Sequence, residues 1–249
     1  MKISIITVCY NSEKTIEDTI KSVLNQSYDN YEYILIDGNS KDRTLDIIKD
    51  YSEKFQGKLI WTSEKDKGLY DAMNKGVKMS TGEIVAFINS DDLFCDKDAF
   101  LKITNVFKKH ENLESVYADL YYVDQKNTER IIRKWITGEQ KKFSTGWHPA
   151  HPTLYIKKNI YNKYGLFNLN YKLAADFEIM LRFLDGKNVS TYYLKETLVK
   201  MRLGGETNKS FKNIIKQNLE CIKAFSNNKI KVNKILYPIY RLLPKLKQY

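Results

Sequence analysis

The chain has 249 residues, 43% apolar and 29% charged, with eleven Gly, four Pro, eighteen Tyr and eleven Phe. That length buries a substantial core, as one large domain or two small ones, and the composition excludes a disordered or linker-rich protein. A net charge of +11 would suit a polyanion binder, but twelve of the 41 basic and two of the 30 acidic residues lie from residue 200 onward. The body is therefore nearly neutral and the tail carries the excess, which argues against a nucleic-acid-binding module.

Ile3 to Val8 reads as a buried strand, and Asn11-Ser12 then opens a helix with Ile16, Ile20, Val23 and Leu24 on one face. This apolar start is too short for a signal peptide. The unit repeats as Tyr31 to Ile36 followed by a helix with Leu45, Ile48, Tyr51 and Phe55, and as Lys58 to Trp61 followed by one with Ala72, Met73 and Val77. It recurs as Glu83 to Ile88 followed by a helix with Phe100, Ile103 and Phe107. Four strand-helix units with near-continuous apolar strands predict a doubly wound, Rossmann-like, mostly parallel α/β sheet. Its strand-to-helix loops then share one edge, where such sheets bind ligands.

Beyond residue 112 the alternation stops. Val116 to Val123 and Ile131 to Ile136 are predicted strands, with a hairpin around Gln125-Lys126-Asn127, and Val189 to Leu194 is another. Helices are predicted over Lys157 to Tyr164, Asp176 to Leu184 and Ser210 to Phe225. Cys9, Cys95 and Cys221 follow no framework or metal spacing and suit a reducing cytosol. No apolar run reaches the roughly eighteen residues of a membrane span.

The four loops carry Tyr10-Asn11, then Asp37 and Asp42, then Glu64 and Asp66, then Asp91-Asp92. Carboxylates gathered on one edge repel unless a cation or hydrogen-bond donors compensate, and hard oxygen donors without clustered Cys or His suit Mg²⁺ or Mn²⁺. The competing reading makes them turn and cap residues, and for Asp42, in a first helical turn, it is the better one. No G-x-G-x-x-G or G-x-x-x-x-G-K-[ST] is present, so phosphates would be held by metal and basic side chains.

Thr7-Val8-Cys9-Tyr10-Asn11 with Gln26, Asp37-Gly38-Asn39-Ser40 with Asp42 and Thr44, Glu64-Lys65-Asp66-Lys67-Gly68 with Ala72, Asn74 and Gly76, and Asn89-Ser90-Asp91-Asp92 resemble the family 2 glycosyltransferases of the GT-A fold. Ala174-Ala175-Asp176 with Glu178 and Arg182 resembles that family's acidic catalytic motif. The resemblance implies an inverting enzyme of the kind that builds bacterial surface polysaccharides, using Mn²⁺ or Mg²⁺ and a nucleotide-sugar donor, with a glycan or lipid-linked acceptor. It implies donor contacts at Thr7, Tyr10, Asn11, Asp37, Asp66, Gly68, Ser90 and Asp91, with Asp37 meeting the base's ring N–H. Metal ligation falls to Asp92 first and Asp91 second, because Asn89 stands where the family often has Asp. Asp176 is the implied general base or a helix N-cap, with Glu178 as competing base; the usual Glu before the base is Ala175. His148 and His151 are acceptor or phosphate contacts, or packed in a Pro-stiffened loop. Arg202 with Gly204-Gly205-Glu206-Thr207 resembles a loop closing over donor phosphates, or is an exposed turn.

The last 21 residues carry six basic and no acidic side chains among aromatic and aliphatic ones, interrupted by Pro238 and Pro244. They read as a segment on an anionic membrane surface, or as a basic terminus packing on the body. The expected layout is a GT-A domain over 1–205, its donor half 1–112 and its acceptor and catalytic half 113–205, with a basic helical extension over 206–249. The expected location is cytoplasmic, on the inner face of the cell membrane. The alternative activity is a sugar-phosphate nucleotidyltransferase, which shares the architecture but usually has a Gly-rich first loop.

Overall fold

A computed structural model of the chain describes residues 1–204 and 211–246. Strands β1 (Ile3–Cys9), β2 (Tyr31–Asp37), β3 (Leu59–Ser63) and β4 (Ile84–Phe87) alternate with helices α1 (Ile16–Leu24), α2 (Thr44–Ser52) and α3 (Leu69–Met79). The four strands are parallel in the order β3-β2-β1-β4. β1 and β2 are buried at every position, which is why their sequences read as apolar runs rather than alternating ones. Their side chains nonetheless divide between the two faces. Ile3, Ile5 and Cys9 join Ile16, Ile20, Ile48, Phe100 and Ile103 on the side of α1, α2 and α4 (Ala99–Lys109). Ile6 and Val8 join Tyr70, Met73 and Val77 on the side of α3.

The predicted hairpin is present as β6 (Ser115–Val123) and β7 (Ile131–Trp135). The short β5 (Leu93–Phe94) and β8 (Tyr155–Lys157) complete a nine-stranded sheet together with β9 (Thr191–Arg202), which runs eight residues beyond its predicted end at Leu194. α5 (Lys158–Tyr164) follows β8, and α6 (Ala175–Met180) continues into a π-helical turn over Leu181–Gly186.

α7 (Phe211–Asn227) and α8 (Tyr237–Leu246) end the described chain. The prolines do not fragment the tail as expected: α8 spans both, and Pro238 sits in its first turn, where a missing N–H costs nothing. Tyr237 is fully buried with Phe225 and Phe177, ring centroids 4.9 and 6.2 Å away. Cys221, Ala224, Phe225 and Tyr237 belong to the α3-side core, so these helices pack on the body. The expected boundary between 205 and 206 falls at the edge of the described residues.

Gly76 positions α3. A Cβ there would come within 2.4 Å of Ile6 Cγ2, so only Gly lets the helix lie this close to β1. Asn74, two residues before it, donates to and accepts from the backbone of Phe167 (both 2.9 Å). At the opposite end of the sheet Glu32 ties β2 to the chain before β4. Burial raises its carboxyl, but bonds from Lys2, Ser4 and Thr81 outweigh this and bring it to about 2.

Candidate active site

The loops after β1 to β4 open on one edge, and the crevice lies at the end of β1, between its neighbours β2 and β4. Asn11 ends β1 at φ 50°, a left-handed conformation that Asn tolerates better than most residues. Its Oδ1 accepts from the Lys41 amide and its amide donates to Ser40 Oγ, both 2.8 Å, which locks the first loop to the second. Tyr10 is left 63% exposed. Its ring and Asp66 Oδ2 stand 3.4 and 3.3 Å from where a Gly38 Cβ would be, so Tyr10, Gly38 and Asp66 converge. Gly68 begins α3 at φ 121° with open space beside it, a backbone requirement rather than a packing one.

Thr7, expected as a donor contact, is turned inward in this structure. It is fully buried, donates to the Ile88 carbonyl (2.8 Å) and accepts from Tyr33 Oη (3.1 Å). Asp37 is likewise fully buried and already satisfied, by Ser40 Oγ at 2.5 Å, the Ser40 amide at 3.1 Å and Ser63 Oγ at 2.6 Å. It ties its loop to β3, and in this arrangement it is closed to the ring N–H expected of it.

Each of the other loop acids can be followed to its compensating group. Asp42 accepts from Thr44 Oγ1 (2.6 Å) and from the Thr44 and Glu13 amides, the turn role expected of it. Lys75 from α3 pairs with Glu64 at 2.8 Å and closely with Asp66. Asn89 donates to Asp92 Oδ2 (2.7 Å), so the amide that replaces an acid here serves the neighbouring carboxylate. Asp92 has no exposed surface, and its Oδ1 has no hydrogen-bond partner. Burial and the charge of Asp91 push its carboxyl well above the usual range.

Asp91 is only partly buried, and no other side chain among the described residues hydrogen-bonds its carboxylate. Burial raises it, against its own amide and the Arg202 charge. In this arrangement Asp92 is enclosed and Asp91 is the more exposed of the two carboxylates, the reverse of the order expected of the pair as metal ligands. Ser90 Oγ lies 3.0 Å from Ser12 Oγ, joining the fourth loop to the first.

Arg202, at the end of β9, braces the same loop. Nη1 donates to the Asp91 carbonyl (2.6 Å), Nη2 meets Asp18 Oδ2 (2.5 Å), and Nε donates to the Gln125 carbonyl. It stands beside the expected metal motif with its guanidinium largely engaged by the protein. Gly205, Glu206 and Thr207 lie outside the described residues.

Asp176 lies in the first turn of α6 and is partly exposed. Its Oδ1 accepts from Tyr70 Oη (3.1 Å), whose ring stacks on Phe167 at 5.9 Å. Neither Tyr70 nor Phe167 stands out in the sequence, because both read as ordinary core aromatics. His151 sits between Phe87 and Phe167, centroids 5.2 and 5.7 Å away. Burial lowers its pKa against the pull of Asp176, so a neutral imidazole stands beside that carboxylate. Through Tyr70 and His151, Asp176 joins the start of α3 and the end of β4, the elements next to the loops that carry Asp66 and Asp91.

Glu178, expected as a competing base or ligand contact, is engaged within the protein. Two residues along a helix it points away, buried, pairing with Arg182 Nε at 3.0 Å and Nη2 at 3.2 Å and accepting from Asn228 at 3.1 Å. His148 is turned toward Trp135 and Phe177, with Nδ1 at 2.9 Å from the Pro149 carbonyl. Both histidines are packed among aromatic rings, and His151 is the one that feels the charge of Asp176.

Residues 4–176 match the model of the family described as Glycosyl transferase family 2. Over 191 residues the chain is 27% identical to a PGL/p-HBAD biosynthesis glycosyltransferase of Mycobacterium bovis, covering 77% of this chain and 73% of that protein. Its fold is similar to that of S. aureus TarS 1-349 in complex with UDP-GlcNAc, with a TM-score of 0.68 and 18% identity over 99% of this chain and 73% of that one. It is similar also to the mannosyltransferase PcManGT from Pyrobaculum calidifontis in complex with GDP-Man and Mn²⁺, with a TM-score of 0.67 and 17% identity over 98% and 69% of the two chains. The expected GT-A fold is thereby established.

Proposed function

Because the chain belongs to glycosyl transferase family 2 and is a glycosyltransferase, we propose that it moves a sugar, with inversion, from a nucleoside diphosphate sugar to a glycan or lipid-linked acceptor of bacterial surface polysaccharide synthesis. The nucleotidyltransferase alternative falls with that membership. One observation carries the mechanism: once the internal partners are assigned, Asp91 and Asp176 remain as partly exposed carboxylates on the loop edge.

Tyr10 offers an exposed face on which a base can stack, and Asn11, Asp66, Gly68 and Ser90 surround it as the donor's polar contacts. No group of three or more His, Cys, Asp or Glu side chains among the described residues could enclose a metal ion alone. The open Asp91 carboxylate, with the unpartnered Oδ1 of Asp92 behind it, suits Mg²⁺ or Mn²⁺ that keeps waters and shares the donor's phosphates. When bound, such an ion would supply Lewis-acid stabilisation of the departing diphosphate.

Asp176, its Oδ1 held by Tyr70, takes the proton from the acceptor hydroxyl at Oδ2. The acceptor oxygen bonds to the anomeric carbon as the carbon–oxygen bond to the diphosphate breaks, in one displacement through an oxocarbenium-like state. In a thermal-shift screen of UDP, GDP, CDP, ADP and dTDP, at least one should raise Tm, and more so with Mn²⁺. At about 100 times Kd the stabilisation is about 2.7 kcal/mol, a rise of roughly 5–10 °C for a chain of this size. No rise with any of the five would overturn the reading.

We also propose that the enzyme works at the cytoplasmic membrane face, on anionic lipid. No helix among the described residues is long and apolar enough to cross a bilayer. Outward faces of α7 and α8, however, expose Ile215, Leu219, Ile239 and Leu242, with Ile235 between the helices 82% exposed. Lys212, Lys216, Lys223, Lys229, Lys231 and Lys234 are exposed in the same stretch, the pairing of apolar and basic groups that binds anionic interfaces. In vesicle flotation the protein should bind phosphatidylglycerol vesicles and not neutral phosphatidylcholine. Binding should weaken with salt and be lost when Ile235, Ile239 and Leu242 are replaced by Ser. Equal recovery with both lipids, or none with either, would refute it.

A further inference from the structure

The segment that delivers Asp176 has no cap of its own. α6 begins after Ala174, which offers no side-chain acceptor, and the amides of Lys172, Leu173 and Ala174 precede it in succession. All three are gathered by one carboxylate from outside the region matched by the family model. Glu220 on α7 accepts through Oε2 from Lys172 (3.0 Å), Leu173 (2.8 Å) and Ala174 (3.0 Å), and through Oε1 from Lys172 again (3.1 Å). Asn227, at the end of α7, and Asn228, just after it, fasten the chain on either side of that segment: Asn227 Nδ2 donates to Tyr171 Oη (2.8 Å) and Asn228 Nδ2 to Glu178 Oε1 (3.1 Å). Phe225 packs on Phe177 at 5.7 Å. Glu220 is one of only two acidic residues after position 199.

Consecutive backbone amides that turn toward one point form a positive concavity that takes an anion well. A carboxylate accepting several backbone N–H bonds also fixes the backbone that donates them, since each bond is charge-assisted and directional. Asp176 follows Ala174 by two residues, so its Cα is set by Glu220 from the α7 side while its Oδ1 is set by Tyr70 from the α3 side.

We propose that Glu220 is a positioning residue for the sugar-transfer reaction, holding the 172–174 backbone so that Asp176 faces the acceptor hydroxyl. The C-terminal helices then belong to the catalytic unit. This rests on the reading of Asp176 as general base.

The test compares Glu220→Ala, Glu220→Gln, Asp176→Asn and the double variant Asp176→Asn/Glu220→Ala. Nucleoside diphosphate release from a panel of UDP- and GDP-sugars, and amide hydrogen exchange of residues 172–174, are followed. Glu220→Ala should lower kcat about 10- to 100-fold with KM for the donor changed less than threefold, and speed exchange at residues 172–174 at least tenfold. Glu220→Gln keeps a carbonyl oxygen where Oε2 lies and should restore both to within about fivefold, which also serves if the Ala variant folds poorly. The double variant should be no slower than Asp176→Asn alone. Loss of thermal stability with kcat unchanged would make Glu220 a structural residue only and overturn the proposal, as would a double variant slower than Asp176→Asn. If Asp176→Asn itself kept full rate, the base assignment would fail and this inference with it; if Asp176→Asn were inactive but Glu220→Ala fully active, only this inference would fail.

Discussion

Replacing Asp176 by Asn should lower kcat about a thousandfold while Tm and nucleotide affinity stay near those of the unaltered protein. The magnitude follows from the chemistry of proton removal, since a positioned general base contributes about 10²–10⁴-fold, and a thousandfold is about 4 kcal/mol of barrier. The fold should survive because the Asn carbonyl oxygen can still accept from Tyr70 Oη, the one side-chain bond that the carboxylate makes among the described residues. The affinity should survive because the donor contacts proposed at Tyr10, Asn11, Asp66, Gly68 and Ser90 are in other loops. Tyr70→Phe should give a smaller loss, of about tenfold, because it frees the carboxylate without removing it. Steady-state rates on a donor–acceptor pair, with melting curves for each variant, check both; an Asn variant within threefold of full rate would remove Asp176 from the mechanism.

The alternation of strand and helix was legible because β1 and β2 are buried at every residue and leave apolar runs between turn signals. The second half was harder for a physical reason. β8 has three residues and β5 two, too few to show a period, and Lys195 and Glu196 interrupt β9 on a partly exposed strand. At the site, residue types were legible and their directions were not. Asp37 and Asp91 both follow a parallel strand, and only Ser40 and Ser63 in space distinguish the buried, saturated one from the open one. Glu178 and Asp176 differ by a turn of the backbone that sends one to Arg182 and the other to Tyr70. Glu220 could not be found at all from local sequence, since its partners lie 46 to 48 residues away. The charge of the tail was legible as a sum, whereas burial of Tyr237 and exposure of Ile235, Ile239 and Leu242 divide that tail between the body and the surface.

The Asp91-Asp92 pair gives the second large effect, and the two residues should behave oppositely. Asp91→Asn should abolish the Mn²⁺-dependent part of nucleotide stabilisation and lower kcat about a hundredfold or more, because it removes the open anionic oxygen on which a hard cation depends. The variant should fold normally, since no other side chain among the described residues hydrogen-bonds that carboxylate. Asp92→Asn should retain the Mn²⁺ effect and be stable: its site has no solvent contact and one oxygen without a partner, and burying an amide there costs less than burying a carboxylate. The bond from Asn89 to Oδ2 can be kept through the new side chain's carbonyl oxygen. Melting curves with nucleoside diphosphate, with and without Mn²⁺, separate the cases before any acceptor is known. The reverse outcome, with Asp92→Asn blind to Mn²⁺ and Asp91→Asn still responsive, would mean that the buried carboxylate is the ligand after all. It would then have to leave its Asn89 contact and turn into the crevice when the donor arrives.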